Sequence, residues 1–175
     1  MTFDHDEERR HFNQVLHVFS QYHVYSIHHH RRRMHDFMAL PMEHKTLIKE
    51  YPLKLRDTER CITTNASFLN RVVTNTSLFS KEHTETPIVD GDMDRVRSTL
   101  KQCVRDWSTE GHEERVACYQ PILDALDTHL PPSKDKGSLR VLVPGAGLGR
   151  LVYEVAHRGW SCQGNEFSLY MARDL

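Results

Sequence analysis

The sequence has no long apolar run, no paired cysteines and almost no net charge, and each absence closes off a class of function. The longest hydrophobic stretch is a few residues, so no segment is expected to span a membrane. The first residues, MTFDHDEERRHF, mix acids and bases around no apolar stretch, so they do not read as a secretory leader. The four cysteines, Cys61, Cys103, Cys118 and Cys162, are scattered without a CxxC pair. They read as reduced thiols in a reducing compartment. Asn65-Ala66-Ser67 and Asn75-Thr76-Ser77 match a glycosylation triplet, and without secretion they are chance matches. The net charge of −1, with histidine neutral, leaves no global basic field for nucleic acid or an anionic membrane. No internal repeat is visible.

What remains is a chain of 175 residues, 38% hydrophobic and 27% charged, with 13 histidines. That length suits one domain, or a small domain joined to part of another. Helical periodicity dominates the first three quarters. Residues 5–39 read as one helix, with Phe12, Val15, Leu16, Phe19 and Tyr22 on a common stripe and Pro41 as its stop. A short helix or turn lies between Pro41 and Pro52. Residues 54–79 read as a second long helix, striped by Leu55, Ile62, Leu69, Val72, Val73 and Phe79, although its centre, CITTNAS, is poor in helix formers. SKEHTETPIVDG, 80–91, is a loop. Asp92 is the expected N-cap of a helix over Met93–Trp107, whose stripe is Met93, Val96, Leu100, Cys103, Val104 and Trp107. Gly111 interrupts, and a helix over 112–130 follows, striped by Val116, Tyr119, Leu123, Leu126 and Leu130, with a kink or restart expected at Pro121. PPSKDKGS, 131–138, is a linker.

The last stretch changes character. Val141, Leu142 and Val143 make a wholly apolar strand, the composition of a parallel strand covered on both faces. VPGAGLGR follows, then a helix with Leu148, Leu151, Val152, Val155 and Ala156 on one side, then a second strand over Trp160–Asn165 that ends on Glu166. Side chains at Gly145 or Gly147 would keep the backbone from approaching a ligand. Glu166 lies 21 residues beyond Gly145. An acid about 20 residues past such a loop accepts hydrogen bonds from ribose hydroxyls in nucleotide-binding βαβ units. The spacing is GxGxG rather than GxGxxG, which favours S-adenosylmethionine, a cofactor without a pyrophosphate, over a dinucleotide. A tight βα turn with no ligand is the plain alternative.

Four segments, STLKQCVRDWS (98–108), ERVACYQPIL (114–123), VLVPGAGLGRL (141–151) and CQGNEFS (162–168), together resemble the carnosine N-methyltransferase family. The likeness is strong over 92–168 and looser over the N-terminal helices. It implies a fold in which a helical region, 1–130, precedes a Rossmann-like methyltransferase domain, with 92–130 contributing to the cofactor pocket. The fold class is then α/β, and 138–175 is the start of that domain, incomplete: two strands and one helix do not bury both faces of a sheet. Acceptor-site and catalytic residues would lie on later strands, and the exposed edges predict poor solubility.

The same resemblance implies methyl transfer from S-adenosylmethionine to an imidazole nitrogen of carnosine or another histidine-containing dipeptide, yielding anserine from carnosine. It implies Gln102, Arg105, Gly145, Gly147 and Glu166 as cofactor contacts, with no metal. Read without it, Gln102 and Arg105 are surface residues beside a buried stripe, and Trp107 and Tyr119 are core aromatics. Asp106 serves to pair with a neighbouring cation at the helix end. Two other functions stay open: a helical interaction module that retains the cofactor signature without catalysis, and an NAD-binding dehydrogenase fragment. The run His28-His29-His30-Arg31-Arg32-Arg33 is a solvated face, a basic patch for polyanions or nuclear import, or a metal tract. Consecutive helical residues point about 100° apart, so three adjacent histidines chelate one ion poorly. The expected location is cytoplasmic, with the nucleus open through the basic patch.

Overall fold

A computed structural model describes residues 5–76, 86–130 and 138–171. The chain is mixed α/β and mostly helical. Its elements are α1 (His5–Ala39), α2 (Met42–Leu47), α3 (Tyr51–Asn75), α4 (Asp90–Trp107), α5 (His112–His129), β1 (Arg140–Pro144), α6 (Arg150–His157) and β2 (Ser161–Asn165). They divide into two compact units, Met1–Met93 and Asp94–Leu175. No described helix is long and apolar enough to cross a membrane.

The first unit is built on α1 and α3, which pack against each other. The predicted α1 stripe is the buried one, and Val18 and Phe37 join it. Leu55, Ile62 and Leu69 supply the buried face of α3, while Phe79 of the predicted stripe lies outside the described residues. The weak centre of α3 does not break. The hydroxyls of Thr58, Thr63, Thr64 and Ser67 each donate to the carbonyl four residues back, so these side chains bond along the helix instead of competing with it. In the histidine–arginine run, Arg31, Arg32 and Arg33 are exposed, whereas His30 is buried. The run therefore exposes its three arginines and turns one histidine inward.

In the second unit β1 and β2 pair in parallel, Arg140 opposite Ser161 through Pro144 opposite Asn165. Leu123 of α5, Val155 of α6 and Trp160 form its apolar core, against which Tyr119, Leu126, Val141, Leu151 and Cys162 pack. That core covers one face of the sheet. The expectation of a strand covered on both faces is corrected here: β1 alternates in burial, and Leu142 is 59% exposed.

The other departures are local. Helix α4 starts at Asp90, so Asp92 is not the N-cap. Its carboxylate accepts the Val89 N–H at 3.2 Å from inside the first turn, the backward half of a capping box. The α4 stripe is also different. Met93, Val96, Thr99 and Asp106 are buried, while Val104 and Trp107 are 48% and 43% exposed, so Trp107 is not a core residue. Helix α5 continues through Pro121 without a restart. Pro121 and Ala117 are exposed, so water can serve the carbonyl that proline leaves without a donor. Val116 of the α5 stripe is exposed, too. Segments 77–85 and 131–137, which hold half of the predicted loop and nearly all of the linker, lie outside the described residues.

Candidate functional site

The site grows out of the carboxyl ends of β1 and β2, where a parallel sheet presents its loops to ligands. Gly145 and Gly147 have φ of 63° and 57°, the left-handed region that side chains disfavour. A Cβ at either position would point into open space, so conformation, not crowding, demands glycine, and the bare loop backbone stays approachable. The end of β2 then latches the loop. The Gly145 N–H donates to Asn165 Oδ1 at 3.3 Å, the Ala146 N–H to the Asn165 carbonyl at 2.8 Å, and the Gly147 N–H to Glu166 Oε2 at 2.8 Å. Glu166 Oε1 accepts the Ser168 N–H at 2.8 Å. Three successive loop amides are thus satisfied by two residues. Each carboxylate oxygen of half-buried Glu166 accepts one of these bonds and keeps further acceptor capacity.

Helix α4 reaches the same place by its last turn. The Trp107 Nε1–H donates to the Leu148 carbonyl at 3.2 Å, and Arg150 Nη1 donates to the Asp106 carbonyl at 3.2 Å. Asp106 is 2% exposed. Its carboxylate accepts from Arg105 Nε at 2.8 Å, from Arg105 Nη2 at 3.2 Å and from the Tyr119 hydroxyl at 3.1 Å. Arg115, also buried, donates through Nη1 to the carbonyls of Arg105 at 2.6 Å and Ser108 at 2.8 Å, fastening α5 to the end of α4. Arg105, Glu114, Arg115, Cys118 and Tyr119 line a small open cleft of about 110 Å³.

This network sets the local electrostatics. The hydrogen bond to Asp106 holds the Arg105 guanidinium even more firmly protonated than usual. Burial pushes the Tyr119 phenol up, and the charge of Asp106 pushes it further. Burial, followed by the Asp106 charge, likewise raises the Cys103 thiol.

Among the residues singled out by sequence, Gly145, Gly147 and Glu166 come together, the last two by a direct hydrogen bond. Arg105 and Gln102 lie on the last turns of α4, both half-buried. Among the described residues neither is hydrogen-bonded to the loop, and the link is made by the next two residues, Asp106 and Trp107. Asp106 does pair with a neighbouring cation, as expected, but it also gathers Tyr119 and, through its carbonyl, Arg150. Sequence reasoning passed over Asn165 and Arg150. Their only signal is position: Asn165 immediately precedes the acid, and Arg150 immediately follows the glycines.

Known proteins place this arrangement in a family. A family model described as carnosine N-methyltransferase matches residues 82–172. The carnosine N-methyltransferase of Mus musculus is 41% identical over 174 residues, covering 94% of this chain and 43% of that protein. That of Schizosaccharomyces pombe is 36% identical, over 98% of this chain and 48% of its own length. That of Drosophila melanogaster is 33% identical, over 95% and 42%. The chain spans a little under half the length of these curated relatives. With a family model matched over more than half of it, and relatives from animals and a yeast aligned along nearly all of it, the chain belongs to the carnosine N-methyltransferase family.

Proposed function

We propose that this chain is the cofactor-binding half of an S-adenosylmethionine-dependent N-methyltransferase that acts on carnosine or another histidine-containing dipeptide. The observation that carries the choice of cofactor is the latched loop. A pyrophosphate is held by free backbone N–H groups at such a turn. Here the amides of Gly145, Ala146 and Gly147 already donate to Asn165 and Glu166. A loop closed in this way suits a ligand that carries no phosphate. The relatives' names supply the reaction class and the acceptor.

The residues present fit that cofactor. Glu166 has acceptor capacity left for ribose hydroxyls, beside a loop whose backbone borders open space. Arg105 offers Asp106 one edge of its guanidinium, Nε with Nη2, and keeps Nη1 for a carboxylate such as that of the methionine moiety. Gln102, one turn earlier, brings an amide that both donates and accepts. When bound, S-adenosylmethionine supplies an electrophilic sulfonium methyl. The part of this chain is to orient that group; the family reaction further requires a neutral imidazole nitrogen in line with it. The strand–helix–strand segment is then the opening of a Rossmann-like sheet, a reading supported by the parallel register of β1 and β2. Residues 92–130 contribute to the pocket, and the acceptor is a small molecule rather than nucleic acid or membrane. The compartment that suits unpaired thiols is the cytoplasm.

Calorimetric titration of the chain with S-adenosylhomocysteine, S-adenosylmethionine and NADH tests this directly, together with an assay of carnosine methylation against the mouse relative as positive control. Binding of the two sulfur compounds and not of NADH is expected. Binding of NADH alone contradicts the proposal.

A further inference from the structure

We propose that Arg150 is a positioning residue, which locks the glycine loop in register with the Gln102–Arg105 turn of α4 and so sets cofactor affinity; this rests on the cofactor reading above. Arg150 is the first residue of α6, directly after the loop. Its side chain is mostly buried. Nε and Nη2 both donate to Glu154 Oε1, at 2.7 and 2.5 Å, from one helical turn away. That pairing orients the guanidinium. Its Cζ then lies 5.0 Å from the Trp107 ring centroid and 5.5 Å from that of Tyr153, with the two rings edge to face at 5.7 Å. Both distances are in cation–π range.

The remaining edge makes the connection. Nη1 donates to the carbonyl of Asp106, one of the last four carbonyls of α4 that the helix itself leaves unsatisfied. A cation is also favoured at that end of the helix dipole. Trp107 answers from the other side by donating to the Leu148 carbonyl inside the loop. Asp106 is thereby held at two points. Its carbonyl is held by Arg150 and its carboxylate holds Arg105. A shift of Asp106 on loss of Arg150 carries the Arg105 guanidinium with it, relative to Gly147 and Glu166. With its own fork bound to Glu154 and Asp106, Arg150 has no comparable edge for a ligand, so it acts through Arg105.

A double-mutant cycle distinguishes positioning from simple support of the fold. S-adenosylhomocysteine affinity is measured by calorimetry on the full chain as parent, Arg150→Gln, Arg105→Lys and the double variant. Arg150→Gln is expected to weaken binding about tenfold in the parent, and less than about twofold once Arg105→Lys has removed the group being positioned. Arg150→Lys, which keeps the charge over the rings and loses the fork, is expected in between, at about threefold. Equal losses in both backgrounds, tracking a lowered melting temperature, overturn the proposal. Should Arg150→Gln not fold, Trp107→Phe takes its place in the same cycle. It keeps a ring beneath the guanidinium, drops the bond to Leu148, and is expected to show the same non-additivity. Absence of binding by the parent overturns the cofactor reading and this proposal together; additive losses in a binding parent overturn this proposal alone.

Discussion

In the α1–α3 pair, Phe12, Val15, Val18 and Leu69 are sealed from solvent, and the histidine that shares their burial, His30, has neither ring nitrogen hydrogen-bonded among the described residues. In the loop-bearing unit Asp106 is as deeply buried as His30 and Arg115 nearly so, yet the Asp106 carboxylate accepts three hydrogen bonds and Arg115 reaches two carbonyls. The buried seam of the first unit is mainly apolar contact, which is undirected and tolerates small shifts. The second adds to its own apolar core a set of directed bonds at the end of α4, whose strength falls steeply with distance and angle. The difference follows from the task of each part. On the proposed function, a helix pair has only to stay packed, whereas a loop that is to receive a cofactor has to keep one shape.

That contrast can be broken by substitution, and the largest effect is expected in the apolar unit. Phe12→Ala, at 0% exposure, should cost about 3–5 kcal/mol in urea denaturation. A loss below about 1 kcal/mol would show that α1 is not packed as described. Next comes Gly111→Ala in the second unit. A Cβ there would sit 2.0 Å from the Arg105 carbonyl oxygen, a backbone atom with no room to retreat, so about 1–3 kcal/mol is expected, and the Arg115 bonds should loosen with it. Tolerance of alanine would mean that α4 and α5 do not approach so closely.

His30→Leu sharpens the comparison from the other side. With no hydrogen bond to forfeit, the change should leave stability within about 1 kcal/mol of the parent, or raise it. A loss of more than about 2 kcal/mol would reveal a partner and erase the distinction between the units. The smallest effect concerns alkaline pH. The Tyr119 phenol is raised in the folded chain, so the folded state holds that proton more tightly than the unfolded one. This contribution is whole below the ordinary tyrosine value of about 10 and is lost as pH rises through the higher folded value. Cys103, whose thiol is also raised, adds the same sign. Tyr119→Phe should therefore flatten the alkaline decline in melting temperature, and an unchanged slope would remove Tyr119 from the network.

The same two regions differ in how far they could be read from residues alone. The α1 stripe, the bounds of α1 and the strand–loop–helix–strand order were all visible, because periodicity and glycine punctuation act over a few neighbouring residues. The end of α4 was misread for the opposite reason. Periodicity put Trp107 in the core, but its indole N–H is claimed by Leu148, 41 residues away, and the buried position goes to Asp106. No local pattern announces a buried aspartate whose partners are Tyr119 on another helix and a neighbouring arginine. Gly145, Gly147 and Glu166 were legible through loop chemistry and spacing. Gln102 and Arg105 enter the candidate site only through the family resemblance, since half-buried polar residues on a helix carry no signal of their own. Asn165 and Arg150 emerged only once β2 and α6 were set beside the loop. The two covered faces expected of β1 failed because one layer of helices packs on this sheet.

The central claim is that Glu166, latched to the loop at Gly147, is the residue that receives the cofactor's ribose. S-adenosylhomocysteine affinity of Glu166→Ala against the parent chain, by calorimetry at matched folding, tests it most directly. A loss of about 1–3 kcal/mol in binding free energy is predicted. An unchanged affinity in a folded variant would contradict it.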